Sequence, residues 1–310
     1  MNIMIVGYGS AGARHADLLR EAGHELTVVT KNPLCPYPDK ERFIEEAMGK
    51  KVYDAVLVAV PTCTHLDVLT TLRERGFSGP ILVEKPLFSE LPLSSASHLG
   101  NGIHVAYNLR FHPLLQRVKE LLQSRHIFSM LAYVGQYLPQ WREGRDYRSC
   151  YSASKEKGGG ALRDLSHELD YLQWLSSPWQ SVTAAGGHFS SLEISSDDLY
   201  TLIWRDYLGS VIHAELNYLD MTPGGRRELF INAEGLSLKV DMRAGSLSVN
   251  GEKAEQVKLP RNVTYRAQLA TWLGGEAQKS NLCTYSEGLD TVTLIAAAET
   301  AATENRWVNR

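Results

Sequence analysis

The stretch "NIMIVGYGSAGARHADLL" (residues 2–19) decides the fold of this chain, because a short apolar run leads into three spaced glycines and then into a helical pattern. Gly7, Gly9 and Gly12 have the spacing G-x-G-x-x-G, which is the dinucleotide fingerprint when it lies between a strand and a helix. The first glycine makes a tight turn, the second lets backbone approach a pyrophosphate, and the third lets helix and strand pack closely. Ser10 opens the helix, where unpaired N–H groups favour phosphate. We therefore expect these four residues to bind a dinucleotide.

The first hundred residues alternate short β-branched runs with longer stretches of helical spacing. The predicted strands are Ile3–Val6, Leu26–Val29, Ala55–Val60, Ile81–Val83 and Ile103–Ala106, and the helical stretches lie near 11–22, 40–48, 64–75 and 93–99. Runs without polar alternation are typical of strands that are buried on both faces. The alternation predicts an α/β domain with a Rossmann-type, doubly wound parallel sheet.

The pattern changes after about Pro113. An amphipathic helix "HPLLQRVKELLQS" (112–124) is followed by segments that alternate with a period of two, such as "SVIHAELNYL" (210–219). This alternation predicts half-buried antiparallel strands. We expect residues 1–112 to form the dinucleotide-binding domain and residues 113–310 an α+β domain with a large, mostly antiparallel open sheet. The C-terminal helix (286–304) is a candidate to pack back on the first domain.

Composition limits the classes of protein that this chain can be. No apolar run approaches the roughly 20 residues that cross a bilayer, and Met1 leads directly into the first predicted strand rather than into a signal peptide. A formal net charge of −3 gives no reason to expect nucleic acid as a partner. The four cysteines are scattered, which favours free thiols in a reducing compartment over disulfides or a metal site. We expect a cytoplasmic protein with neither a membrane nor a metal partner.

The end of the second predicted strand bears on the choice of coenzyme. An acidic residue at this place normally accepts hydrogen bonds from the adenosine ribose of NAD. Here "LTVVTKN" (26–32) supplies Thr30 and Lys31 instead. A small hydroxyl and a cation leave room and charge for a 2′-phosphate, so NADP is favoured over NAD. The alternative is that Lys31 is an ordinary solvated loop lysine.

Two later motifs point to chemistry beside the coenzyme. "ILVEKPLF" (81–88) places Glu84 and Lys85 at the carboxyl end of the fourth strand, where doubly wound sheets bind ligands. "GGGALRDLSHELDYLQWL" (158–175) predicts a helix on which Asp164, His167 and Asp170 are spaced i, i+3 and i+6. Residues three apart are neighbours on one helical face, so Asp164 and His167 are expected to point into one cleft.

The glycine loop, the Glu-Lys-Pro segment and the later Asp/His helix together resemble the glucose-fructose oxidoreductase, inositol dehydrogenase and rhizopine catabolism family (Gfo/Idh/MocA), in the family's order and over nearly the whole chain. The resemblance implies that Lys85 contacts the substrate hydroxyl near the nicotinamide and that His167 relays or accepts its proton. The family more often separates its Asp and His by four residues. The interval of three leaves open whether Asp164 or Asp170 takes the role of the family's carboxylate.

The resemblance extends to two softer motifs. "VPTCTH" (60–65) is similar to the segment that lines the cofactor, which implies that Pro61, Thr62 and His65 contact it, although an ordinary capped helix start explains this motif nearly as well. "YNLRFHP" (107–113) is similar to the crossover into the second domain, which implies that Asn108 and Arg110 face the cleft. A purely structural role is the alternative for these two residues.

A long segment without its own periodicity, "QYLPQWREGRDYRSCYSASKEKGG" (136–159), is rich in Arg, Tyr and Trp. Arginine forks bind oxyanions bidentately and aromatic faces stack on rings. We expect Trp141, Arg142, Arg145 and Tyr147, together with Asp170, to bind a sugar that carries a phosphate, nucleotide or carboxylate. Aromatic and basic residues also populate oligomer interfaces, and that alternative stays open.

The sequence predicts an NAD(P)-dependent oxidoreductase that transfers hydride between the nicotinamide and a hydroxyl or keto group of a sugar derivative, with Lys85, His167 and Asp164 as catalytic residues. The alternatives are a non-catalytic, coenzyme-sensing regulator of the same fold and a glycosidase that retains its NAD. Intact acid–base residues favour the enzyme over the sensor. A homodimer or homotetramer that pairs through the second sheet is the expected assembly.

Overall fold

The computed structural model describes residues 1–92, 99–142, 144–274 and 280–310. These residues form two compact units, of which the first contains 1–108 and 262–289 and the second contains 109–261 and 290–310. The sequence places the boundary at 112/113, whereas the first unit also includes a segment from late in the chain. The physical reason is a strand at Cys283–Thr284 that pairs with the strand Ile103–Val105 of the first unit.

The first unit is built on a seven-stranded sheet. Its strands are β1 (Asn2–Val6), β2 (Glu25–Val29), β3 (Lys40–Glu41), β4 (Ala55–Val58), β5 (Ile81–Val83), β6 (Ile103–Val105) and β15 (Cys283–Thr284), in the spatial order β15-β6-β5-β4-β1-β2-β3. All neighbours are parallel except β15, which is antiparallel to β6. The chain turns from one half of the sheet to the other between β1 and β4, so the carboxyl ends of these two strands form the topological switch point.

Helices α1 (Ser10–Glu21), α2 (Ile44–Lys50), α3 (His65–Glu74) and α7 (Val263–Leu273) complete the first unit. The helix predicted near 40–48 begins only at Ile44, because Lys40 and Glu41 extend the sheet beside Val28 and Val29. Residues 93–98 of the stretch that was predicted to be helical near 93–99 lie outside the described residues. The longest helix, α8 (Tyr285–Glu304), begins in the first unit and continues in the second.

The second unit is built on a nine-stranded sheet. Its strands are β7 (Ile127–Gly135), β8 (Trp179–Gly187), β9 (Leu199–Asp206), β10 (Val211–Asn217), β11 (Arg226–Ala233), β12 (Leu236–Asp241), β13 (Ser246–Val249), β14 (Glu255–Gln256) and β16 (Val308–Asn309), in the order β14-β13-β12-β11-β7-β10-β9-β8-β16. Every neighbouring pair is antiparallel except β7 and β10. The alternating burial of β9 and β12 shows one packed face and one open face.

Helices α4 (Pro113–Leu121), α5 (Ala161–Asp164) and α6 (His167–Leu175) contribute to the core of the second unit. Leu115, Leu169 and Leu172 are completely buried in the same apolar cluster as Trp204 and Leu216 of the sheet. The predicted fold class, a Rossmann-type parallel sheet followed by an α+β domain with a mostly antiparallel sheet, is confirmed. Among the described residues, no helix has both the length and the apolar character that a membrane span requires.

Candidate functional site

The three glycines of the first motif have different surroundings. Gly7 has a φ of +103°, and a Cβ there would collide with the carbonyl of Ala59 in the loop after β4. A Cβ on Gly12 would collide with the carbonyl of Gly7. Gly9, the N-cap of α1, has nothing within 4 Å of the position of a Cβ. Gly7 and Gly12 therefore allow the backbone to pack, whereas Gly9 leaves open space directly before a helix N-terminus.

This open space has the properties of a pyrophosphate site. The first turn of α1 carries no acidic residue that would repel an anion. The loops that contain Gly7, Pro61 and Glu84 follow β1, β4 and β5, which are neighbouring parallel strands, and so they lie at one edge of the sheet. A dinucleotide fits this edge because the N-terminus of α1, where the helix dipole favours an anion, borders the open space at Gly9.

His65, which the resemblance assigns to the cofactor, contacts two backbone carbonyls in the structure. Its side chain is completely buried at the start of α3. Nδ1 lies 3.1 Å from the carbonyl oxygen of Leu87 and Nε2 lies 3.1 Å from that of Val60. Burial lowers the pKa of His65, although both carbonyl contacts act to raise it. His65 therefore joins the loop after β4 to the loop after β5. Thr62, which is also buried, lies in the short helical turn that directly precedes α3.

The Glu-Lys-Pro segment is held by a residue of α1. The Nε2 atom of His15 lies 2.8 Å from Oε1 of Glu84, and Oε2 of Glu84 accepts a hydrogen bond of 3.2 Å from the backbone N–H of Lys85. Burial acts to raise the pKa of Glu84, but the hydrogen bond and charge of His15 and the charge of Lys85 outweigh it and hold this pKa below its ordinary value. Lys85 itself is partly exposed and precedes Pro86 in a cis peptide.

The loop after β2 contacts the glycine loop. Nδ2 of Asn32 donates to the carbonyl of Tyr8 at 3.0 Å, and the hydroxyl oxygen of Thr30 accepts the N–H of Asn32 at 3.0 Å. The Nζ of Lys31 lies 5.5 Å from the centre of the Phe43 ring, and the side chain is exposed. These contacts bring Thr30 and Lys31 to the same edge of the sheet as Gly9.

Asn108, which the resemblance places in the cleft, is almost completely buried. Its Nδ2 donates to the hydroxyl oxygen of Thr264 at 2.6 Å. Thr264 lies in the first turn of α7, so this contact holds α7 against the end of β6 within the first unit. The described contact gives Asn108 a structural role.

Arg110 and Asp170, both expected to bind substrate, instead pair with each other. The guanidinium Nε and Nη2 atoms of Arg110 lie 2.9 and 2.8 Å from the two carboxylate oxygens of Asp170, with side chains 2% and 1% exposed. Charges that are buried this deeply require a partner, and removing one partner is strongly destabilising. The pair therefore belongs to the interior of the second unit, and neither charge is available to a substrate without breaking it.

The motif predicted to be one helix forms two. Helix α5 ends at Asp164 and α6 begins at His167, with a turn at Leu165 and Ser166 between them. Asp164 and His167 are both partly exposed, and the hydroxyl of Tyr218 donates to Oδ2 of Asp164 at 2.7 Å. Burial raises the pKa of Tyr218 well above its ordinary value, and the charge of Asp164 adds to the rise. Asp164 is thus the accessible carboxylate of the motif, whereas Asp170 is buried.

Two further contacts fix α5 in place. Oδ2 of Asp197 accepts the N–H of Leu162 at 2.8 Å, and a Cβ on Gly160 would collide with the same carboxylate. Burial raises the pKa of Asp197 to about 6. Arg163 forms two hydrogen bonds of 2.6 and 2.9 Å with Glu299 of α8. The short helix that carries Asp164 is therefore held at both of its ends.

The structure brings together four residues that the sequence assigns to substrate. A pocket of about 240 Å³ in the second unit is lined by Trp141, Arg142, Arg145 and Tyr147, with further lining residues from the segment 138–152. The indole N–H of Trp141 donates to the carbonyl of Gln136 at 2.9 Å. Its ring meets Tyr218 edge-on, with centroids 5.0 Å apart. The pocket is thereby connected through Trp141 and Tyr218 to Asp164.

Sequence reasoning missed three residues of this arrangement, namely His15, Tyr218 and Asp197. His15 lies three residues after Gly12, but a histidine on an amphipathic helix has no pattern that predicts its partner 69 residues away. Tyr218 shares a face with the buried residues of β10 and is therefore indistinguishable from a core tyrosine. Asp197 follows a run of small polar residues, which is typical of a loop.

Two family models match the chain. Residues 1–101 match the NAD-binding Rossmann fold of the Gfo/Idh/MocA oxidoreductase family, and residues 115–239 match a Gfo/Idh/MocA C-terminal domain. The chain belongs to this family, and the resemblance that its motifs indicate is confirmed.

Individual relatives are similar over part of the chain. An uncharacterized oxidoreductase of Synechocystis sp. is 31% identical over 147 residues, which are 46% of this chain and 39% of that protein. An inositol 2-dehydrogenase of Corynebacterium glutamicum is 26% identical over 193 residues, 57% of this chain and 54% of that one. The chain thus spans about half or less of the length of these two relatives.

A solved structure shares the fold over the whole chain. The dehydrogenase WlbA from Bordetella pertussis, in complex with NADH and UDP-GlcNAcA, has a TM-score of 0.78 and 18% identity, and the match covers 100% of this chain and 98% of that one. At this level of identity the likeness extends to the fold, with a Rossmann sheet followed by a mostly antiparallel one.

Proposed function

We propose that this protein is an NAD(P)-dependent oxidoreductase that transfers hydride between the nicotinamide and a hydroxyl or keto group of a sugar derivative. The observation that carries the proposal is the glycine loop, in which Gly7 and Gly12 are closely packed while the space over Gly9 is open. The loops after β1, β4 and β5 lie at the same edge of the sheet, and the last of them carries Lys85. Known inositol dehydrogenases in the family support a carbohydrate substrate.

The residues that would hold the coenzyme are those around the open glycine. Backbone N–H groups at Gly9 and Ser10 bind the pyrophosphate, and the loop of Thr30 and Lys31 faces the adenosine end. When bound, the coenzyme supplies or accepts the hydride. Pro61 and Thr62 follow β4 at the same edge and line the nicotinamide half.

The proton that accompanies hydride transfer is handled by residues of this chain. Lys85 hydrogen-bonds the substrate oxygen, and His167 takes or returns the hydroxyl proton, since imidazole titrates near neutral pH. Asp164, which accepts the Tyr218 hydroxyl, orients the substrate or His167. We assign the family's carboxylate to Asp164 rather than Asp170, because Asp170 is buried and paired with Arg110.

The pocket supports an anionic, ring-shaped substrate. The hydroxyl of Tyr151 donates to the carbonyl of Gly158 and that of Tyr147 accepts the N–H of Glu193, so the polar ends of both side chains face backbone. Their rings, with that of Trp141, are left as apolar surface, and Arg142 and Arg145 supply positive charge. This combination suits a sugar with a phosphate, nucleotide or carboxylate group.

Replacement of Lys85 by alanine tests the assignment. We expect the Lys85→Ala variant to bind coenzyme with unchanged affinity and to lose about 10²- to 10⁴-fold in kcat, because the substrate oxygen loses its proton-handling partner. The measurement is coenzyme fluorescence, first for binding and then for turnover against a panel of sugar phosphates, nucleotide sugars and sugar acids. Unchanged turnover in the variant would defeat the catalytic role.

The same panel separates the other two functions that the fold supports. A coenzyme-sensing regulator would bind coenzyme and turn over none of the sugars. A glycosidase that retains its NAD would cleave glycosides without net reduction of coenzyme. Net coenzyme turnover that depends on Lys85 is the result that only the oxidoreductase gives.

A preference for NADP over NAD is the finer part of the proposal. It is supported by the exposed cation Lys31, which the Asn32–Tyr8 contact holds beside the glycine loop. We expect Lys31→Asp to shift the ratio of affinities toward NAD by about tenfold or more, since an ammonium that faces a 2′-phosphate is replaced by a repelling carboxylate. Titration of both coenzymes measures the ratio, and an unchanged ratio would show that Lys31 does not contact the phosphate.

The open face of the second sheet supports pairing with a second copy of the chain. Ile203, His213, Leu131 and Phe230 are direct cross-strand neighbours in one row of this face, and the three apolar members are 37–39% exposed. Such contiguous apolar surface favours an interface. We propose a homodimer or homotetramer through this face in a cytoplasmic enzyme, and expect Leu131→Lys to shift the sedimenting species toward the monomer. An unchanged assembly would place the interface elsewhere.

A further inference from the structure

We propose that His15 is a positioning residue for the reaction, which holds Glu84 and through it the segment that carries Lys85. This inference rests on the proposed function, because it gives a purpose to a contact beside the proposed catalytic lysine. The resemblance assigns no role to His15, although it lies in the same stretch as the glycine loop. It lies on α1, the helix whose N-terminus is the proposed phosphate site.

The contact between His15 and Glu84 holds the Glu84 carboxylate in one orientation. The side chain of His15 is completely buried, and that of Glu84 is 15% exposed. The two oxygens of Glu84 receive different donors, Nε2 of His15 at 2.8 Å and the backbone N–H of Lys85 at 3.2 Å. Because the pKa of Glu84 is held low, the group is a carboxylate that only accepts, and the His15 nitrogen must carry the proton. One carboxylate therefore bridges α1 and the backbone of Lys85.

The ring of His15 is itself held in place. It meets the ring of Tyr265 on α7 edge-on, with centroids 5.5 Å apart. Since His15 is completely buried, it does not reach a substrate, and its effect must pass through Glu84. The same helix thus sets both the place of the pyrophosphate and the place of the ammonium. With coenzyme bound at the glycine loop, this arrangement would set the distance between the nicotinamide and Lys85. An error of about 1 Å in such a distance lowers the rate by about 100-fold.

A matched pair of variants tests the proposal. Methionine and glutamine have similar length, but only glutamine donates a hydrogen bond to Glu84. We expect His15→Met to lower kcat by about 10- to 100-fold and His15→Gln to recover most of the loss. His24→Leu is the control, since His24 lies beyond the end of α1 and is expected to leave kcat unchanged.

Binding of ADP-ribose distinguishes positioning from a general loss of structure. ADP-ribose occupies the phosphate and adenosine parts of the site but lacks the nicotinamide ring. We expect His15→Met to keep the affinity for ADP-ribose and to weaken the affinity for the whole coenzyme. The reason is that the backbone of the Glu84–Lys85 segment moves at the nicotinamide part of the site, which the loss of the Lys85 side chain alone does not cause. This readout needs no turnover, so it tests the role of His15 even if the wild-type protein proves inactive on every sugar and the proposed function fails.

Several results would overturn the proposal. Equal kcat in His15→Met and the wild type, equal loss in the Met and Gln variants, or a parallel loss of ADP-ribose binding would each show that His15 does not position Lys85. If the Met variant does not fold, Glu84→Ala removes the same contact from its partly exposed partner and is expected to give the same split between ADP-ribose and coenzyme. Loss of both affinities there would also overturn the proposal.

Discussion

The glycine loop at 7–12 and the glycine triplet at 158–160 look alike in sequence, since each is rich in glycine and each precedes a helix. Their surroundings differ. Nothing lies within 4 Å of a Cβ on Gly9, whereas a Cβ on Gly159 would collide with the Tyr151 carbonyl and lie 2.7 Å from that of Ser152. At Gly160 the corresponding space is occupied by the carboxylate of Asp197. The glycine loop leaves space for a ligand, whereas at the glycine triplet the corresponding space is occupied by protein atoms.

The difference shows what a glycine pattern can and cannot predict. Both patterns indicate that backbone approaches something closely, but only the surroundings show whether that neighbour is a ligand or the protein itself. The same substitution is therefore expected to affect mainly stability at the glycine triplet and mainly binding at the glycine loop.

The largest effect is expected at the triplet. Gly159→Val should lower the free energy of unfolding by about 3 kcal/mol or more, because the new side chain meets fixed backbone carbonyls and the segment must move. Chemical denaturation measures the change. A loss below about 0.5 kcal/mol, the level of a neutral surface substitution, would show that the triplet is not closely packed.

The same substitution in the glycine loop is expected to act mainly on coenzyme binding. Gly9 has φ −91° and ψ −163°, so its backbone does not require the positive φ that excludes side chains. Gly9→Val should lower the free energy of unfolding by no more than about 2 kcal/mol, the cost of a poor N-cap residue. It should weaken coenzyme binding by about 100-fold, because its side chain fills the proposed pyrophosphate site. Fluorescence titration gives the affinity. Wild-type affinity for coenzyme in a folded Gly9→Val variant would show that the open space at Gly9 is not the pyrophosphate site.

The smallest effect concerns the carboxylate that fills the space at Gly160. The pKa of Asp197 is raised by burial from 3.8 to about 6, so between these pH values the folded state binds more protons than the unfolded state. The free energy of unfolding should therefore fall as pH rises from about 4 to about 6, by at most roughly 2–3 kcal/mol. Asp197→Asn still accepts the N–H of Leu162 and should flatten this part of the profile. A profile of the same slope in both proteins would contradict the assignment.

Local periodicity was enough to predict much of the fold. The strand Ile81–Val83 agrees at both ends with β5, and four other predicted strands of the first unit overlap β1, β2, β4 and β6. The glycine loop was predictable because its chemistry is contiguous in sequence. The pocket residues Trp141, Arg142, Arg145 and Tyr147 were predictable for the same reason, since one segment supplies all four.

What the sequence could not predict depends on contacts between distant residues. Arg110 and Asp170 have the charges of substrate-binding residues, and only the fold shows that they neutralise each other across 60 positions. The turn at Leu165 and Ser166 interrupts a pattern that is fully compatible with one helix. The late segment of the first unit joins its sheet through β15, which pairs with β6. Because β15 is only two residues long, it has no periodicity that a sequence could show.

A crystal structure of the protein with coenzyme is the most direct measurement of the central claim. We expect the pyrophosphate to lie against the backbone N–H groups of Gly9 and Ser10, with the nicotinamide ring beside Lys85 and His167 within reach of the same substrate position. Coenzyme bound with its ring remote from Lys85, or absent from the glycine loop at a saturating concentration, would contradict the account.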